Sequence, residues 1–155
     1  LYVATRYRDG RQRATEDRQA RRDLAEGLRS LAAEVTANNM ELRRVAKMLF
    51  DAAKSDTPEF PGILGVPVTV RTVLDILAGR IGLAGEIAPT VLRHYEVLRE
   101  LRGTLSAESK MVREISVELE LKRIDGASYV VQMILQEGES ILENLERKIA
   151  EAEGG

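Results

Sequence analysis

Few side chains in this sequence are of the types that catalyse reactions or bind metals. His94 is the only histidine among the 155 residues, and there is no cysteine. A multi-histidine or thiolate metal site, a cysteine nucleophile and a disulfide are therefore excluded within one chain. The position of His94 beside Tyr95 in an amphipathic helical pattern predicts a surface or boundary residue.

Two pairs of glutamates have spacings that place both carboxylates on similar sides of a helix. They are Glu114 with Glu118, and Glu34 with Glu41. General acid–base catalysis or metal binding uses such groups, but on helices this charged a solvated face is the simpler interpretation. We therefore expect no enzyme activity, no catalytic residue, no cofactor and no metal ligand.

Asn38 and Gly138 are the residues whose types point to a special structural role. Asn38 falls in a row of apolar residues, where a buried amide must find partners or cost about 1–3 kcal/mol. Such an amide can fix helix register or oligomeric state. Gly138 falls in a similar row, where the missing side chain allows a neighbouring helix to approach closely. We predict a structural register or oligomer contact at both residues, with a hydrated bundle edge as the alternative for Asn38 and a surface position for Asn39.

Arginines dominate the beginning of the chain. Arg6, Arg8, Arg11 and Arg13 come directly after a short apolar start that contains Tyr2. This order is typical of the cytoplasmic end of a transmembrane helix, so we predict that these four arginines contact a membrane surface and that an anchor precedes them. The alternative is a charged helix face with i,i+4 pairs. The net charge of −2 and the lack of aromatic residues among the basic ones argue against nucleic acid as a partner.

Apolar spacing predicts a long first helix from about Arg11 to Ala53. Its inner row alternates steps of four and three residues, as in left-handed helix packing, and consists of Leu24, Leu28, Leu31, Val35, Asn38, Leu42, Val45 and Leu49. Prolines and turn residues in 54–67 should end this helix. A short second helix is expected after Thr69. The glycines of 79–85 should end it, and they lack the order of a phosphate-binding loop.

Further helices are expected in the second half of the chain. One should run from about Glu86 to Gly103 with Leu92, Tyr95, Leu98 and Leu101 or Arg102 inside, and a start signal follows at 106–109. Residues 111–123 fit both strand alternation and helical spacing, and we favour the helix because a lone strand would have no partner. A kink or break at 125–128 precedes a last helix with Val131, Ile134, Gly138, Ile141 and Leu145 inside. The acidic last helix and the arginine-rich first helix would complement each other if they lie side by side.

These elements predict an all-α fold, namely an antiparallel helical bundle of four or five helices with a long first helix. Aromatic residues make up only 4% of the chain, so the core must be aliphatic, which suits helix-on-helix packing. Residues 1–22 lack the apolar row and are predicted to form an arginine-rich juxtamembrane stalk or linker. Residues 23–153 are predicted to form the helical bundle domain.

Three short runs carry a resemblance to a known group of proteins. They are residues 31–39 (LAAEVTANN), 94–98 (HYEVL) and 137–142 (EGESIL), with an apolar middle rich in proline and glycine. In these runs the chain resembles uncharacterised bacterial proteins that join one N-terminal transmembrane helix to a cytoplasmic helical bundle. The resemblance spans most of the chain and implies a location. It brings no activity and no functional residues.

These observations favour a non-enzymatic, membrane-tethered helical interaction or scaffold domain. Its partner would be a second copy of the chain or another protein, and its location the cytoplasmic face of the inner membrane, with the periplasm as the alternative. The alternative function is a ligand-sensing helical bundle of a signalling protein. That function would require a buried cavity with convergent polar groups.

Overall fold

The computed structural model describes residues 2–63, 85–111 and 115–154. These residues form three α-helices and no strand, which confirms the all-α class: α1 is Tyr2–Ala53, α2 is Ala88–Lys110 and α3 is Val117–Gly154. The predicted count of four or five helices is not confirmed. The helix expected after Thr69 and the glycines at 79 and 82 lie outside the described residues, and Gly85 adopts a φ of 58° before α2 begins.

Helix α1 is 52 residues long, and it starts before the predicted position near Arg11. No proline interrupts it, and side-chain pairs four residues apart support its exposed first half. One such pair joins Gln19 Nε2 to Asp23 Oδ1 at 2.8 Å. After Ala53, the Lys54 amide still donates to the Phe50 carbonyl at 3.3 Å, and the turn that follows leads to Pro58.

Helices α1 and α3 pack side by side in antiparallel orientation. Arg29 pairs with Glu153, and Arg43 pairs with Glu139 at 2.9 Å, so early residues of α1 meet late residues of α3. The condition under which the two helices would complement each other is thus met for the half of α1 that follows the arginine-rich segment. The predicted inner rows also lie in the contact, with Leu24 and Leu31 partly buried and all other members buried.

Helix α2 differs from the prediction at its end and in its phase. It continues through Gly103 to Lys110, so residues 106–109 form its last turn and do not start a new helix. Leu101 and Leu105 lie on either side of Gly103 and are both buried. They hold the helix against the core at this glycine. Leu92 is exposed, because the row that faces the core is Val91, His94, Leu98, Leu101 and Leu105, with Tyr95 beside it.

Helix α3 begins after Ser116, whose hydroxyl accepts a hydrogen bond from the Leu119 amide at 3.3 Å. Ser116 is therefore the N-cap of α3, and it was not predicted from the sequence. Within the ambiguous segment 111–123, residues 117–123 are helical, whereas Met111 is extended and Ile115 precedes the helix. The break expected at 125–128 is absent: the helix runs through Gly126 without interruption, since buried Ile124 on one side and half-buried Ala127 on the other pack on the core.

Arg123 links the connection between α2 and α3 to the segment that follows α1. Its guanidinium donates to Glu108 at 2.5 Å and to Glu120 at 2.7 Å, and it lies 5.2 Å from the centre of the Phe60 ring. The Phe60 amide in turn donates to Glu120 Oε1 at 2.7 Å. These bonds tie three separate stretches of chain together at one end of the bundle.

Candidate functional site

Polar side chains lie in the core where the three helices meet. Asn38 and Asn39 of α1 and His94 of α2 are each only 1% exposed. The surface positions predicted for His94 and Asn39 are therefore wrong. Neighbouring residues on a helix point about 100° apart, so burial of both asparagines means that α1 is covered on two adjacent faces.

The sequence contained a signal for both missed residues. A second row on α1, with alternating steps of three and four, includes Asn39 and consists of Ala32, Val35, Asn39, Leu42, Ala46 and Leu49. On α2 the corresponding row is Val91, His94, Leu98, Leu101 and Leu105. A helix that packs against two neighbours needs two such rows, whereas only one row was predicted for each helix.

One ring nitrogen of His94 is hydrogen-bonded, and the other has no partner among the residues that the structure describes. Its Nδ1 lies 3.1 Å from Glu137 Oε1 on α3. Burial lowers the pKa of His94, and the negative charge and hydrogen bond of Glu137 only partly oppose this shift. Burial thus favours the neutral ring, and the neighbouring Glu137 carboxylate favours the tautomer with the proton on Nδ1 and a lone pair on Nε2.

Gly138 provides the space that the Asn39 amide occupies. A Cβ atom at position 138 would overlap Asn39 Oδ1 and would lie 3.3 Å from Cε1 of His94. Asn39 and His94 therefore face each other across the glycine. The two predicted register residues, Asn38 and Gly138, both lie in the interior of one chain, each on the inner row of its helix.

Four polar atoms of this cluster have no hydrogen-bond partner within residues 2–63, 85–111 and 115–154. They are Nδ2 of Asn38, Nδ2 and Oδ1 of Asn39, and Nε2 of His94. An unpaired buried polar atom costs about 1–3 kcal/mol. The cluster offers amide donors, an amide acceptor and an imidazole lone pair. These groups can form hydrogen bonds with a small polar molecule.

A second candidate site is the first part of α1, which is called the arm here and comprises residues 2–23. Residues 3–23 are all exposed, and Ala25 is the first buried residue of the helix. The four predicted membrane-contact arginines lie on this arm but do not share a face. Arg8 and Arg11 lie three residues apart on one side, whereas Arg6 and Arg13 lie on the opposite side in a row with Asp9 and Glu16.

Residues 2–63, 85–111 and 115–154 contain neither a candidate metal site nor a membrane-spanning helix. No three His, Cys, Asp or Glu side chains there converge in a way that would hold a metal ion. In the same parts of the chain, no helix combines the length and apolar character needed to cross a bilayer.

Comparisons with known proteins supply no relative. No protein family, no curated protein and no solved structure matches this chain.

Proposed function

We propose that the chain is a non-enzymatic helical interaction or scaffold domain that is tethered at the cytoplasmic face of a membrane. The tether would be at the arm end of α1. The bundle would contain at least four helices, counting the one expected after Thr69. Its partner would be a second copy or another protein. The resemblance to proteins that pair one transmembrane helix with a helical bundle agrees with this role.

The observation that carries the proposal is the continuity of α1. Its exposed arm and its buried half form one helix of 52 residues, so the arm is a direct extension of the core. A helix rises 1.5 Å per residue, which gives the arm a length of roughly 30 Å. Such a polar helix with no apolar stripe suits a spacer that holds the bundle away from an attachment point.

The arginines near the beginning of the arm support contact with anionic lipid. Arg6, Arg8, Arg11 and Arg13 are all exposed. A basic residue near an anionic bilayer contributes about 1 kcal/mol of attraction. The arm also has few apolar side chains to insert, so the contact would be electrostatic and sensitive to salt.

Vesicle flotation tests this membrane contact. The chain should float with vesicles that contain phosphatidylglycerol and not with vesicles of phosphatidylcholine alone. Replacement of Arg6, Arg8, Arg11 and Arg13 by Gln should abolish flotation. A comparison with equal charge loss sets Arg6→Gln with Arg8→Gln against Arg18→Gln with Arg22→Gln, and the pair at the base of the arm should retain more of the binding.

Two results would count against the tethered orientation. One is equal flotation with both kinds of vesicle. The other is an equal loss of binding in the two sets of variants, because the position along the arm would then have no influence.

A ligand-sensing bundle is the second candidate, and the four unpartnered atoms around Asn39 and His94 favour it. Native mass spectrometry of the purified chain tests this function. A co-purified small molecule should appear on the wild-type chain and be lost in an Asn39→Leu variant, which removes both of that residue's polar groups. A spectrum that shows only the mass of the chain itself would rule out a tightly held ligand.

A further inference from the structure

The middle turns of α3 lack charged residues on every side, including the side that faces outward. Charged residues make up 31% of the chain, yet none occurs between Asp125 and Glu137. No other stretch of the three helices is uncharged over as many residues. A helix that faces water on one side normally carries charged residues there, so this outward side has the composition of a surface that another helix covers.

Five exposed residues form a row along this outward side. They alternate steps of three and four residues, which is the spacing of left-handed helix packing, and they are Gly126, Tyr129, Met133, Gln136 and Ser140. We call them the outer row. The side chains of Tyr129 and Met133 are 68% and 53% exposed, and the whole row is about 21 Å long.

The acidic residues beside the middle of the outer row are engaged by other helices of the same chain. On one flank, Glu137 Oε1 lies 3.1 Å from Nδ1 of His94 on α2. On the other flank, Glu139 pairs with Arg43 of α1 at 2.9 Å. These contacts draw both carboxylates towards the bundle, so the outer row itself presents an uncharged surface.

Other charged residues lie at the two ends of the outer row. Asp125 and Glu143 flank its first and last residues, and Lys122 lies one turn before it. Lys122 is 70% exposed and pairs with Glu118 at 3.6 Å. A second copy of the row can therefore lie against the first along its whole length, and like charges would approach each other only at the ends of the contact.

A copy in parallel orientation places each residue of the row opposite its own counterpart. The amide of Gln136 both donates and accepts, so two copies of it can hydrogen-bond to each other, as a single polar residue does within the apolar row of a dimeric coiled coil. Parallel pairing also puts both arms at the same end of the dimer. Both arms then reach one bilayer, whereas antiparallel pairing would direct them to opposite sides.

We propose that the outer row of α3 joins two copies of this chain in a parallel dimer. This inference rests on the proposed interaction role, for which it names the partner and the surface. One pair of helices in contact over about 21 Å is small for a stable interface. The dimer is therefore weak in solution and becomes stronger when the arms hold both copies on one bilayer.

Sedimentation equilibrium over a concentration series tests the dimer. The intact chain should shift from the mass of one chain to twice that mass at concentrations below about 1 mM. Tyr129→Glu with Met133→Glu places carboxylates in the contact and should weaken dimerisation at least about a hundredfold. The matched control is Met40→Glu with Phe50→Glu on α1, where the side chains are 62% and 54% exposed. It adds the same charge and should dimerise like the wild type, and circular dichroism checks that both variants keep their helices.

A cysteine cross-link tests the orientation. The chain has no cysteine, so Gly126→Cys introduces a single thiol. In the parallel dimer this thiol lies opposite its counterpart, and mild oxidation should give a covalent dimer. In an antiparallel dimer centred on the outer row the two thiols would be about 21 Å apart, which is beyond the reach of a disulfide. Ser30→Cys, exposed on α1, should give no covalent dimer.

A chain that stays monomeric up to about 1 mM would overturn the proposal and leave the outer row to a different protein. Equal weakening by the variants of α3 and α1, or a dimeric Gly126→Cys chain that does not cross-link, would also overturn it. If the chain is monomeric but floats with phosphatidylglycerol vesicles, the dimer fails while the membrane tether stands. A dimer that does not float gives the reverse outcome.

Discussion

At the residue scale, the contact between Asn39 and Gly138 makes a specific prediction about packing. Alanine is favoured over glycine inside a helix by about 1 kcal/mol. A Cβ at position 138 would nevertheless overlap the Asn39 amide, so Gly138→Ala should destabilise the chain by about 1–3 kcal/mol. Urea unfolding measures this change.

The double variant isolates the cause. In an Asn39→Ala background the obstructing amide is gone, so Gly138→Ala should cost little or even stabilise the chain. Simple addition of the two single effects would show that the contact is not responsible.

His94 predicts how stability depends on pH. Its pKa in the folded chain is below the ordinary value of 6.5, because burial disfavours the charged ring. The unfolded chain therefore binds the proton more readily, and stability should be full above pH 6.5 and fall as the pH drops below it. One proton limits the slope to about 1.4 kcal/mol per pH unit.

Unfolding curves between pH 7.5 and 5.5, an interval chosen to span the ordinary histidine pKa of about 6.5, test this dependence. His94 is the only histidine, so a His94→Gln variant should lose the slope in that interval. A wild-type chain with constant stability there, or a variant with an unchanged slope, would contradict the assignment of the slope to His94.

Part of the polar cluster around Asn39 and His94 could be predicted from the sequence. The inner-row positions of Asn38 and Gly138 followed from their spacing among apolar residues. The burial of Asn39 and His94 was not predicted, because a polar side chain is assigned to the surface unless a second neighbouring helix is known to cover it. That coverage is a property of three helices packed together, and periodicity within one helix shows only one face at a time.

At the element scale, Arg123 should determine how firmly α2 and α3 are joined. Arg123→Met removes the bonds to Glu108 and Glu120 and leaves Glu120, which is 9% exposed, without its charged partner. We expect a loss of about 2–4 kcal/mol in the free energy of unfolding. Chemical denaturation gives the value.

The neighbouring residue provides the control. Lys122 is exposed and pairs with Glu118 at 3.6 Å, so Lys122→Met should change stability by no more than about 0.5 kcal/mol. Similar costs at 122 and 123 would mean that the Arg123 bonds contribute nothing beyond an ordinary surface pair.

The presence of a helix could be predicted from the sequence more accurately than the residues at which it begins and ends. The break signals at Gly103 and at 125–128 were taken from local residue types, but neighbouring apolar residues hold both segments on the core. An exposed glycine within a helix costs about 1 kcal/mol. Burial of Leu101 and Leu105 exceeds that cost at Gly103, and Ile124 and Ala127 hold the other segment on the core. Identification of Ser116 as the N-cap of α3 would have needed knowledge of where α2 ends.

At the scale of the whole molecule, the all-α class could be predicted from composition and apolar rows. The pairing of the first and last helices could not, because charge complementarity shows only that they are compatible and not that they are neighbours. The division of the arm into a basic face and a mixed face could not be predicted without knowing that α1 is continuous. Once the helix is continuous from Tyr2 to Ala53, residue spacing alone assigns each arginine to its face.

A distance measurement between two spin labels tests the continuity of α1 most directly. The chain has no cysteine, so Ala4→Cys and Ser30→Cys, both exposed, can be labelled without background. A continuous helix predicts a narrow distribution near about 39 Å. A second pair within the packed half, Ser30→Cys with Lys47→Cys, should give about 26 Å and a similar width. If the first pair instead gives a broad distribution centred near about 28 Å, as a flexible segment would, the arm is not a rigid extension of the bundle and the account is wrong.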